Sequence, residues 1–153
     1  MVSSLVDGLV FGGSVALQEL PARSPRRAMA STGLLALQAV DVVAPELPAI
    51  RQAWRGRPVP PVADGDRLAV SRYTVVAGCW AALIGLGEKR ASAVLARRGT
   101  RRPHLVVGGA VGLAAAASTL PVWWQRASAR IEEDETAAAL DAELAELLAE
   151  NAY

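Results

Sequence analysis

LVVGGAVGLAAAASTLPVWW, residues 105–124, runs for 20 residues without a charge. A helix of that length rises about 30 Å, the thickness of a bilayer's hydrocarbon core. A second apolar run, YTVVAGCWAALIGLG, precedes it at residues 73–87. The connector between them, EKRASAVLARRGTRRPH (residues 88–104), holds six basic residues and one acid. Two apolar runs joined by a basic connector read as a transmembrane hairpin. The fold class that follows is all-α: a small multi-pass membrane bundle of three or four transmembrane helices.

The third helix of this bundle is expected to start near Asp66, a capping residue type, and to span the membrane near 68–87. Its helical pattern continues through the basic connector to Gly99, a residue suited to a helix stop. The fourth spans near 105–124. Pro121 either kinks or ends it, and Trp123, Trp124 and Arg126 suit an interfacial belt.

Upstream, residues 28–44 form another candidate span, ended by Pro45, with Pro48 preventing the same helix from resuming. Residues 46–57 fit a short surface helix with Leu47, Ile50 and Trp54 on one side. Residues 57–66, RPVPPVADGD, are the clearest loop. The first stretch, residues 2–20, contains Asp7, Ser14 and Gln18 near one face. It reads either as a fourth span or as an amphipathic helix lying on the membrane or on the protein body. PARSPRR, residues 21–27, is a basic turn at a membrane surface.

Residues 131–150 form the remaining helix. Leu140, Leu144, Leu147 and Leu148 make an apolar stripe, and an acidic start suits the positive end of the helix dipole. The chain therefore divides into a transmembrane domain, residues 1–126, and an acidic, extramembrane, amphipathic tail, residues 127–153.

Charge follows the same division. All 16 basic residues lie within 1–130, whereas 131–153 carry eight acids and no base. This clustering explains a mean hydropathy of only +0.27 in a chain that is 52% hydrophobic. The connectors 21–27 and 88–104 together hold nine Arg and Lys, against six on the opposite side. The positive-inside rule puts the first set in the cytoplasm and the tail outside. Fifteen of the basic residues are Arg, and with the high Ala content this suggests a bacterial, GC-rich source and a bacterial inner-membrane location.

Small residues recur every four positions in three stretches: Gly8, Gly12, Ala16; Ala77, Ala81, Gly85; and Gly108, Gly112, Ala116. In lipid such ridges let helix backbones approach closely, within the chain or between copies. Asp7, Asp41 and Arg72 are expected at similar depth near one end of the bundle. They are the candidate polar cluster, because intramembrane ionisable groups are functional candidates by default. The expected interaction face is Leu140, Leu144, Leu147 and Leu148.

No stretch carries the spacing of a phosphate loop, a zinc protease, a serine hydrolase elbow or a CxxC pair. Cys79 and His104 are each the sole residue of their type, too few for a structural zinc site. Cys79 reads as a small packing residue in mid-span, and His104 as part of a basic surface. No enzyme activity and no cofactor are expected, and the basic connector has no nucleic-acid fold around it. The expected partners are membrane lipid and either another protein or further copies of the chain. The leading expectation is a scaffold or accessory assembly subunit acting through helix packing and the tail. The alternatives are an oligomeric transport or pore-forming protein built around Asp7, Asp41 and Arg72, and a soluble helical bundle with residues 105–120 at its core.

Overall fold

The computed structural model describes residues 2–58 and 64–150, and every regular element among them is helical. Five helices follow in order: α1 (Val2–Ala16), α2 (Pro25–Val43), α3 (Leu47–Trp54), α4 (Asp64–Arg97) and α5 (Pro103–Glu150). Short 3-10 turns, Leu17–Glu19 and Ala44–Glu46, follow α1 and α2. Three segments are long and apolar enough to cross a membrane: Pro25–Trp54, Gly65–Arg97 and Pro103–Ala149. Part of the Pro-rich loop, residues 59–63, lies outside the described residues.

Local chemistry sets the boundaries. Ser24 caps α2 by accepting a hydrogen bond from the Arg27 amide at 3.2 Å, and Pro25 occupies the first turn, where no amide donor is required. Across Pro45 and Pro48 the chain stays helical: each proline sits in the first turn of a new element, Pro45 in the 3-10 turn and Pro48 in α3. α4 ends at Arg97, and Gly99 follows with φ of +85°. The amides of Gly99 and Thr100 reach back to Ala96 and Leu95, closing the last turn. α5 does not end at Pro121. It continues to Glu150 as one helix of 48 residues, so the tail is an extension of the fourth long helix, not a separate element.

Each successive long segment reverses direction. α1 lies antiparallel along α5, with Gly8 facing Gly112 and Ala116, and Gly12 facing Gly108. The fit leaves no room for side chains: a Cβ on Gly8 would come 2.6 Å from the Gly112 carbonyl oxygen, and one on Gly112 would come 2.7 Å from that of Gly8. Two of the three small-residue ridges thus meet each other within one chain. The third meets neither of them: Ala81 and Gly85 are exposed, and Gly85 has nothing within 4 Å of where a Cβ would stand. α2 packs on α1 through Leu34 against Gly13, and α4 packs antiparallel on α5.

α1, at 15 residues, rises about 22 Å, less than a hydrocarbon core. It nonetheless supplies much of the buried surface: Ser4, Val6, Asp7, Gly8, Gly12 and Val15 are all covered. The interior is unlike that of a water-soluble bundle. Val6, Val15, Ala69, Ala115 and Val122 are its buried apolar residues, beside buried Ser4, Asp7, Asp66, Glu88, Ser92 and Thr119. Large apolar side chains point outward instead: Met29, Leu35, Val40, Val75, Leu83, Leu86 and Leu113 are all exposed.

Candidate functional site

Two polar centres sit at opposite ends of the bundle. The first is built on Asp7, whose exposure is 0%. α4 brings the Tyr73 hydroxyl, which donates to Asp7 Oδ1 at 2.7 Å. α5 brings the Trp123 indole, whose Nε1 donates to Oδ2 at 2.7 Å. The two rings lie 5.3 Å apart, tilted by 52°. From α2, Gln38 Nε2 donates to the Tyr73 hydroxyl at 3.3 Å. Ser3 reaches across to Asp41, donating to Oδ1 at 3.0 Å, while Asp41 Oδ2 is buried with no hydrogen-bond partner. Burying a carboxylate is costly unless donors satisfy it, and here two neutral donors do so.

The expected cluster of Asp7, Asp41 and Arg72 is therefore distributed as follows. Asp7 and Asp41 lie at the same end: Tyr73 joins Asp7 to Gln38, and Ser3 bonds Asp41. Arg72 hydrogen-bonds Gln125 on α5 at 2.6 Å, on the exposed side of α4. Arg126 stands beside this centre, its guanidinium carbon 5.5 Å from the Trp123 ring centroid.

Arg126 belongs to a clamp below the same end. It bonds Asp66 through Nε, and its Nη2 reaches Glu46 at 2.9 Å. Arg130, one turn further along α5, reaches Glu46 at 2.7 Å and Asp66 at 3.3 Å. Asp66 is thus an ion-pair partner and not the helix cap expected of it, and α4 starts at Asp64. The hydrogen bond from Arg126 holds the Asp66 carboxyl below the usual carboxylate range; burial opposes this, and the charges of Arg126 and Arg130 add to it. The clamp ties the root of the tail to α4 and to the turn after α2.

The second centre is at the end that carries both basic connectors. Glu88 is buried, accepts from Gln18 Nε2 on one oxygen, and faces His104 Nδ1 at 2.8 Å with the other. Ser92 Oγ lies 3.1 Å from that same Nδ1, and the His104 amide donates to Glu19 at 2.8 Å. Serine, histidine and glutamate side by side suggest a hydrolytic triad, but the geometry denies it. In a triad the serine and the acid sit on opposite ring nitrogens, and here both address Nδ1. His104 is therefore joined to Glu88 and is more than part of a basic surface. Cys79 is exposed on the outside of α4, not packed within the chain. Among the described residues no three His, Cys, Asp or Glu side chains converge as a metal site would need.

Several of these residues gave no sequence signal of their own. Tyr73, Trp123 and Ser3 bond aspartates far from them in the chain, and Gln38 bonds Tyr73. Glu88 had one: it is the sole acid of its connector, one turn before Ser92 on the same helical face. Arg126 and Arg130 had another, a pair of cations at i, i+4 that calls for acids opposite.

No family model, curated protein or solved structure matches this chain.

The expected interaction face lies on the last part of α5. Leu140, Leu144 and Leu148 are 55%, 56% and 71% exposed, with Leu147 on the same side at 49%. Residues 131–149 are exposed throughout.

Proposed function

We propose that this protein is a multi-pass subunit of the bacterial inner membrane that assembles a complex by presenting a rigid helical arm. The observation that carries the reading is the continuity of α5. One helix runs from the glycine seam of the bundle to Glu150 without interruption. Its last 20 residues extend about 30 Å beyond the clamp at Arg126 and Arg130. An apolar stripe on an otherwise solvated helix needs a cover. Charge indicates the kind of cover. Eight acids and no base in residues 131–153 make self-pairing repulsive and favour an amphipathic partner segment with basic flanks. The basic connector of the same chain is not that partner, because it lies at the other end of the bundle.

The membrane placement is supported by the inverted interior, by the three long apolar segments and by the outward Leu, Val and Met side chains. Deleting residues 131–153 should abolish the complex, seen as a shift to smaller size on gel filtration in mild detergent. An unchanged profile would defeat the assembly reading. Release of the full chain by alkaline carbonate would defeat the membrane reading and favour a soluble bundle.

A second reading, transport, is favoured by one observation: a carboxylate at 0% exposure beside a second whose Oδ2 is buried and unpartnered. Proton or cation flux in proteoliposomes, lost in Asp41→Asn, would support it. Flux no different from empty vesicles would remove it.

A further inference from the structure

The close approach of α1 and α5 leaves an apolar groove of about 590 Å³ along their seam. Its floor is backbone, because Gly8, Gly12, Gly108 and Gly112 supply no side chains. Leu5 and Leu9 form one wall, Leu105 and Leu113 the other, and all four are exposed on their outer sides. One end of the groove is electrostatically distinct. There α1 stops at Ala16 and α5 starts at Pro103, so both basic connectors flank the mouth. Arg23 and Arg26 stand on one connector and Arg101 and Arg102 on the other. All four are exposed, and among the described residues none has a side-chain hydrogen bond or ion pair. At the opposite end the acids Asp7 and Asp41 are buried or part-buried, and the arginines Arg126 and Arg130 are paired with Asp66 and Glu46.

An apolar channel with a cationic mouth at one end matches an amphiphile with an apolar chain and an anionic head. We infer that the groove holds one acyl chain of an anionic phospholipid, with its phosphate among Arg23, Arg26, Arg101 and Arg102. A second copy of the protein fits less well. A two-fold pair sharing this groove would set four unpaired arginines against four more, and like charges across an interface are repulsive. This inference rests on the membrane reading.

The test uses the full chain in phosphatidylcholine vesicles containing a trace of phosphatidylglycerol or phosphatidylcholine, spin-labelled on the acyl chain. Electron paramagnetic resonance then measures the immobilised fraction of each. The wild type should retain phosphatidylglycerol in preference to phosphatidylcholine. Neutralising Arg101→Gln and Arg102→Gln should reduce that preference by about fivefold for each arginine removed. Gly109→Leu should reduce the immobilised component for both lipids. Gly109 lines the groove and a Cβ there meets nothing within 4 Å, so this variant narrows the groove without disturbing the seam. Unchanged preference in the arginine variants, or an undiminished component in Gly109→Leu, would overturn the inference. So would a wild-type dimer that Gly109→Leu converts to monomer, since a second copy would then fill the groove. Carbonate-resistant protein without lipid preference defeats the lipid site alone; protein released by carbonate defeats the membrane reading beneath it.

Discussion

Two parts of the same helix behave as opposites. Between Gly108 and Trp123, α5 packs on α1 and α4 along one side, and its contacts depend on small residues and a few buried polar atoms. Between residues 131 and 149 it is exposed, and it carries a leucine stripe among acids. Both parts contain Ala-rich stretches of high helix propensity, Ala114–Ala117 in the inner part and Ala137–Ala139 in the outer. What separates them is what covers them. The inner part packs on its own neighbours along one side. The outer part is exposed, and in the proposed reading a partner covers it.

That contrast is broken most severely at the seam. In Gly12→Leu even the Cβ would stand 2.8 Å from the Gly112 Cα, so the helices must part. The expected loss is about 3 kcal/mol or more, read from unfolding in mixed detergent micelles, with Gly109→Leu as a near-neutral control. Next comes the buried carboxylate. Asp7→Ala leaves the Tyr73 hydroxyl and the Trp123 indole without an acceptor, at a cost of about 1–3 kcal/mol in the same assay. Asp7→Asn keeps one carbonyl acceptor and should lose less.

The boundary between the two parts is sensitive to acid. The folded carboxyl of Asp66 titrates below the ordinary value of 3.8. Its contribution is therefore fully present above that value and disappears as the pH falls through the lower folded one. Thermal unfolding in detergent at pH 6 and pH 3 should differ by about 1 kcal/mol more in the wild type than in Asp66→Asn. The smallest effect belongs to the arm itself. Leu140→Lys with Leu144→Lys should change bundle stability by less than about 0.5 kcal/mol, while the complex is lost on gel filtration. A large loss of stability in that pair would mean that the stripe is covered within the chain.

Much of this architecture is legible in the residues. Long charge-free runs give their own length, and Gly99 announces the end of α4. The four-residue spacing of Gly8, Gly12, Gly108 and Gly112 marks close packing, but spacing does not say which ridge meets which. The Ala77, Ala81, Gly85 ridge has the same pattern, yet Ala81 and Gly85 are exposed. The polar centres were legible only in part. Asp7 and Asp41 stand out as acids in apolar runs, whereas their partners are residue types common in any span. Arg72 illustrates the limit. Depth along a helix can be counted from sequence, but its rotation about the axis is set by packing, and that rotation turns Arg72 toward Gln125.

The central claim is that the arm's leucine face is a docking surface for another protein. It is tested most directly by placing a photo-crosslinking residue at position 140 or 144, and separately at position 142 or 149 on the opposite side, in the full chain in its native membrane. A discrete adduct from 140 and 144 alone, with a mass that is not a multiple of this chain, is the predicted result. No adduct from those positions, or equal labelling around the helix, would contradict it.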